Sequence, residues 1–113
     1  RMRSAGVGKP ALYAEGDGWE LTATVGSFAA GATHEGLQDM AGNVWEWTAD
    51  WYGPYAAGAN DGTGPAAGTR RVNVGGGWAD GRATSVRAAN RDGNAADYRD
   101  GQLGFRCARE VSP

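Results

Sequence analysis

A chain of 113 residues makes one small domain, and a net charge of −2 with both signs interspersed leaves no basic field for nucleic acid or an anionic membrane. No apolar run approaches the roughly 20 residues that cross a bilayer. The N-terminus shows no apolar h-region, so neither a membrane span nor a signal peptide is expected within this segment. The aliphatic inventory is thin, with 4 Leu, 7 Val, 2 Phe and no Ile against 5 Trp and 4 Tyr. A buried aromatic ring removes roughly 200 Å² from water. The composition therefore predicts an ordered, glycine-rich domain with an aromatic core. So little aliphatic surface needs support from a bound metal or from further chain.

Residues 1–20 are punctuated by Gly6, Gly8, Pro10, Gly16 and Gly18 and read as an irregular N-terminal segment. Leu21 to Phe28 predicts a short strand broken at Gly26, Ala29 to Gly36 a turn, and Leu37 to Met40 the start of a helical turn. Val44 to Trp51 alternates aromatic and polar residues, which fits a strand with one face on a core. Gly53 to Thr69 reads as a long surface loop. Arg71 to Trp78 is a strand running into a glycine bend, and Val86 to Asn90 is short and ambiguous. Asp92 to Gln102 reads as polar loop and Leu103 to Arg109 as a closing strand. The class is α+β, irregular and loop-rich, made mostly of short β-strands.

Cys107 is alone, so it forms no internal disulfide and reads as a small, half-buried core thiol. Arg82, Arg87, Arg91, Arg99 and Arg106 interleave with Asp80, Asp92, Asp97 and Asp100. That pattern predicts ion pairs that hold loops in place. Trp45, Trp47, Trp51 and Trp78 are either core or a stacking platform for a ligand.

The segment Asp39 to Glu46, DMAGNVWE, has oxygen donors at metal-ligand spacing. In extended backbone alternate residues face one way, which brings the carbonyls of Gly42 and Val44 toward the Glu46 carboxylate, with Asp39 approaching from the preceding turn. Calcium takes about 6–8 oxygens, carboxylate and carbonyl, and these four residues supply part of such a set. The alternative is an N-capping Asp39 and a solvated Glu46.

Three stretches in order carry a family resemblance: VGSFAAGATHEGLQDMAGNVWEWTADW from Val25, GPAAGTRRVNVGGGW from Gly64, and RAANRDGNAADYRDGQLGFRCAR from Arg87. The GNVWEW core, the glycine turn before an aromatic and the closing GFR resemble the formylglycine-generating enzymes, also called sulfatase-modifying factors. Their fold is related to the C-type lectins. The resemblance implies that fold over residues 1–113 as the C-terminal part of one domain, with a missing N-terminal half as a partner. It also implies a structural calcium ion at Asp39, Gly42, Val44 and Glu46, and a substrate cleft close to Trp45.

The family's oxidases convert a substrate cysteine to formylglycine with two cysteines that bind copper, just after the glycine turn. A thiolate pair suits Cu(I), but here those positions hold Asp80 and Ser85, and Gly77 replaces the usual serine. Copper is therefore not expected, and Cys107 matches a structural cysteine instead. Other relatives lack both cysteines, among them the variable proteins of diversity-generating retroelements. Their frame resembles Arg87, Ala89-Asn90-Arg91, Asp97, Arg99 and Gly104-Phe105-Arg106. Between these lie small polar residues and a tyrosine, a composition that suits an adaptable binding surface. The expected ligand-binding residues are Trp45, Trp78, Asp80, Gly81, Ser85, Arg91, Asp92, Asn94, Tyr98, Asp100 and Gln102. The leading reading is a calcium-stabilised module for an unknown protein or small molecule. A formylglycine-generating oxidase, or a divergent enzyme of that family, and a purely structural half-domain stand beside it.

Overall fold

The computed structural model describes residues 16–55 and 64–109. The first part of the predicted N-terminal loop and the middle of the predicted Gly53–Thr69 loop lie outside the described residues. Four strands form one sheet: β1 (Trp45–Trp51), β2 (Arg71–Val74), β3 (Asp92–Asn94) and β4 (Leu103–Gly104). Their order across the sheet is β3-β2-β1-β4. Most of the remaining described chain is turn and loop, with a short 3-10 helix at Ala29–Gly31. No helix among the described residues is long and apolar enough to cross a membrane.

β1 forms where the aromatic alternation predicts it. It pairs antiparallel with β2, Glu46 opposite Val74 and Trp47 opposite Asn73, then slips through an irregularity before Trp51 meets Arg71. β2 continues antiparallel to β3, with Asn73 opposite Asp92 and Arg71 opposite Asn94. β4 lies parallel to β1, Trp45 beside Leu103. Because side chains alternate along a strand, this register puts Trp45, Trp47, Asn73, Asp92, Asn94 and Leu103 on one face of the sheet. Glu46, Val72, Val74, Gly93 and Gly104 belong to the other.

That second face holds the apolar centre. Val72 is 1% exposed and Ala79 8%, and Tyr52 packs across Gly93 so closely that a β-carbon there would sit 2.7 Å from the ring's Cδ2. Gly93 is therefore a packing requirement, which explains why a three-residue strand of sequence DGN lies flush against its neighbour. The bend after β2 needs left-handed backbone at Gly75 and Gly76, with φ of 95° and 76°. There the carbonyl of Gly75 accepts from the Gly42 amide at 2.7 Å.

Four expectations change. Leu21 to Phe28 is not a strand: the chain turns at Gly26 (φ 76°), and the Ser27 amide donates back to Thr24. Its sheet-like partner is a side chain, since Asn43 Oδ1 accepts from the Ala23 amide at 2.9 Å and Asn43 Nδ2 donates to the Ala23 carbonyl at 3.2 Å. Leu37 to Met40 makes no helical turn, because Asp39 sits at φ 54°. The predicted polar loop from Asp92 contains β3, an edge strand that needs no apolar alternation because it packs through Gly93. The closing strand is two residues long rather than seven, as the chain leaves the sheet where Arg106 turns to Glu46.

Candidate ligand-binding site

A cleft of about 230 Å³ opens on the sheet face that carries Trp45, Asn73, Asp92, Asn94 and Leu103, and Asp80, Tyr98, Asp100 and Gln102 complete its lining. Each wall is held by local hydrogen bonds. Asp80 Oδ2 accepts from the Trp45 indole and from the Gly77 amide, both at 2.8 Å, while the Asp80 amide donates to the Gly77 carbonyl at 2.9 Å. Gly77 is tight: a β-carbon would lie 3.0 Å from Trp45 Cδ1 and 3.3 Å from Gln102 Cβ. Asp100 organises the opposite rim, where Oδ1 accepts from the Gln102 amide at 2.8 Å and Oδ2 from the Tyr98 hydroxyl at 3.2 Å. The Gln102 carbonyl then accepts from the Trp45 amide at 2.7 Å, which ties rim to sheet. The charge of the neighbouring Asp100 carboxylate and the hydrogen bond it accepts from the hydroxyl, with a further contribution from Asp92, hold the Tyr98 phenol above its usual range.

Seven of the residues named from sequence meet here: Trp45, Asp80, Asp92, Asn94, Tyr98, Asp100 and Gln102. Four do not line the cleft. Trp78 braces it from outside, its indole donating to the Gly101 carbonyl at 3.4 Å. Gly81 and Ser85 lie in the loop after the glycine bend, where the Ser85 carbonyl accepts from Asn90 Nδ2 at 3.3 Å. Arg91 faces elsewhere: its guanidinium stacks 3.6 Å from the Tyr55 ring centre and donates to the Gly53 carbonyl at 2.9 Å. Asn73 and Leu103 were missed because each sits inside a strand whose facing is set only by register. Asn73 is only 3% exposed, and the signal the sequence offered was a polar residue set between Val72 and Val74.

The predicted arginine–aspartate pairs do not form among the described residues. Of the arginines so predicted, Arg91 stacks on Tyr55 and Arg106 pairs with Glu46 rather than with an aspartate, while Arg71 and Arg70, outside the predicted set, lie 3.4 Å and 4.7 Å from the ring centres of Trp51 and Tyr52. A flat guanidinium stacks well on an aromatic face. Cys107 is exposed, not half-buried.

The calcium expectation can be tested against the donors. Glu46 is on the sheet face opposite the cleft, and both of its carboxylate oxygens accept from Arg106, at 2.5 and 2.6 Å. The same guanidinium donates to the carbonyls of Gln38 at 2.7 Å and Asp39 at 2.8 Å. The Asp39 carboxylate accepts from the Gly26 amide at 2.7 Å. Hydrogen bonding to Glu46, with its charge and that of Asp39 adding to it against partial burial, raises the Arg106 pKa further. An organic cation thus already holds the Glu46 carboxylate and the Asp39 carbonyl. A calcium ion bound through Glu46 would share its carboxylate with a guanidinium.

Comparisons with known proteins agree on the relationship. The model of the sulfatase-modifying factor enzyme 1-like domain matches residues 2–111. The formylglycine-generating enzyme of Streptomyces coelicolor is 41% identical over 84% of this chain and 31% of its own length. Among solved structures, Treponema denticola variable protein 1 superposes with a TM-score of 0.68 at 35% identity, covering 84% of this chain and 34% of that one. PvdO from Pseudomonas aeruginosa gives 0.69 at 30% identity, with 86% and 37% covered. The chain thus spans about a third of the length of these relatives.

Proposed function

The chain belongs to the sulfatase-modifying factor enzyme 1-like domain family, and from that membership we propose that it is a non-catalytic binding module whose ligand enters the cleft beside Trp45. The observation that carries this reading is the convergence of Asp80, Asp92, Asn94, Tyr98, Asp100 and Gln102, from three loop and strand segments, onto one sheet face. These side chains are polar and adaptable, while the frame residues Asn90, Arg91 and Arg106 donate to backbone carbonyls of Ser85, Gly53 and Gln38, outside the cleft lining. That division suits a surface whose rim residues change while the scaffold stays. Similarity to a protein named a variable protein supports it further. The module would then be the diversified binding protein of a diversity-generating retroelement.

Two experiments test this. Asp92→Ala and Tyr98→Ala should abolish binding of a ligand selected from a displayed peptide library while leaving the melting temperature within a few degrees of wild type. A collapse of stability would instead make these residues structural. At the gene, a near-copy of the Gly75–Arg106 coding region beside a reverse transcriptase, differing mainly at adenines, is the expected neighbour.

The oxidase reading is disfavoured by the residues at the two expected thiolate positions. Asp80 is committed to Trp45 and Gly77, and Ser85 is not in the cleft lining. Incubated with copper, oxygen and a sulfatase-type cysteine peptide, the protein should leave the peptide mass unchanged.

A further inference from the structure

Among the described residues the cleft is lined by three carboxylates, Asp80, Asp92 and Asp100, and by no lysine or arginine. Their local partners leave acceptor capacity over. Asp80 uses Oδ2 for Trp45 and Gly77, and Asp92 uses Oδ1 for the Gly93 amide at 2.7 Å. Since an ionised carboxylate accepts at about four positions, oxygen lone pairs remain open to the cleft. The carboxylates are not gathered tightly enough to make a metal-binding group, since no set of three or more such ligands converges among the described residues. The field is negative but spread out, which suits a ligand with extent rather than a single ion.

A second, independent feature lies at the cleft wall. Asn73 is 3% exposed, and its Oδ1 accepts weakly from Asn94 Nδ2 at 3.4 Å. Its own Nδ2 donates to no described residue, although Asn73 belongs to the cleft lining. That nitrogen is not sealed off, since the fully buried side-chain polar atom left without a partner among the described residues is Arg91 Nε, and Asn73 lines the cleft. Such a group in a binding wall awaits an acceptor from outside.

We propose that the cleft binds a cationic nitrogen group, ammonium or guanidinium, carried by a ligand that also presents a carbonyl oxygen to Asn73. The carboxylates take the cation and the Asn73 amide takes the carbonyl. The Trp45 indole, in the same lining, offers apolar and cation–π contact to the stem. A lysine or arginine side chain with its own peptide carbonyl has this chemistry. The inference rests on the cleft being the binding site, and it adds the ligand class.

The test is a titration followed by the NMR signal of the Trp45 indole N–H. The probes are the N-acetyl amides of lysine, arginine, norleucine and glutamate, with n-butylammonium as a cation that carries no carbonyl. The expected result is saturable shifts with the lysine and arginine probes and none with norleucine or glutamate. Asp100→Asn should weaken the cationic probes about tenfold, consistent with a charge-assisted hydrogen bond. Asn73→Ala should weaken the lysine probe about threefold to tenfold and leave n-butylammonium unchanged. A matching hydrogen–deuterium exchange pattern for β2 in that variant shows that the fold survives. Equal binding of the norleucine or glutamate probes overturns the cationic class while leaving the cleft as the site. Shifts with no probe at all overturn both.

Discussion

At Arg106 one side chain meets both oxygens of Glu46 and two backbone carbonyls, and it links the last described segment to the loop before β1. Its side chain is 39% exposed and that of Glu46 23%, so solvent screens part of the attraction. Arg106→Gln is expected to cost about 1–2 kcal/mol, between the ranges for exposed pairs and for bidentate charge-assisted contacts, read as a fall in denaturation midpoint. EDTA should leave the wild-type melting temperature unchanged, and a drop would show that a metal shares Glu46. Tyr98 makes a separate prediction. Its phenol is held above the usual value of about 10 by Asp100 and Asp92. A raised folded pKa favours the protonated phenol, so any stability it adds is complete below the ordinary tyrosine range and is lost as pH rises through the shifted value. Absorbance titration should find one tyrosine ionising late, and Asp100→Asn should bring it back toward the others. At Gly93, alanine would drive a methyl into the Tyr52 ring. Overpacking of this kind costs about 1–3 kcal/mol, and the loss should be visible in a thermal melt.

At the scale of elements, β1 and β2 were legible because aromatic and aliphatic residues there alternate with polar ones and the period is two. The bend after β2 was legible from three successive glycines. β3 was not, since DGN carries no apolar signal and its strand character comes from the fit of Gly93 under Tyr52, a tertiary fact. The segment Leu21 to Phe28 failed in the opposite direction: its composition suits a strand, but its partner is the amide side chain of Asn43, held at φ 64°. For the site, the family resemblance pointed to seven of the lining residues, and register added Asn73 and Leu103. Arg91 was misread because charge alternation in sequence says nothing about whether a ring lies nearer than a carboxylate, whereas Arg106 does form a loop-holding ion pair, with Glu46 in place of an aspartate. Asn43→Gly keeps the left-handed backbone easy and removes both hydrogen bonds to Ala23. Faster amide hydrogen exchange at Ala23, with protection in β1 retained, is the expected outcome.

Across the whole molecule, burial is shallow. Trp19, Leu21, Val25, Phe28, Leu37, Met40, Tyr55, Tyr98 and Phe105 are all exposed, while fully buried apolar side chains are few among the described residues. Exposed hydrophobics in this number usually mark a surface that is covered in use. A covering by further residues of the same domain accords with the chain matching about a third of its relatives' length. The expected behaviour of these 113 residues alone is binding of a hydrophobic dye below the melting temperature. Co-expression with a polypeptide that supplies the rest of the domain should suppress that signal.

The parallel pairing of β4 with β1 has a consequence in time. Trp45 waits for Leu103, its partner in the sheet, and its amide waits for the carbonyl of Gln102. Chains emerge from the ribosome N-terminus first, and contacts this distant in sequence form slowly. The rim residues Tyr98, Asp100 and Gln102 therefore join the cleft only when almost all of the described chain has been made. A chain that stops before residue 98 holds β1 and β2 but lacks Tyr98, Asp100 and Gln102, so the cleft lining is completed late in synthesis.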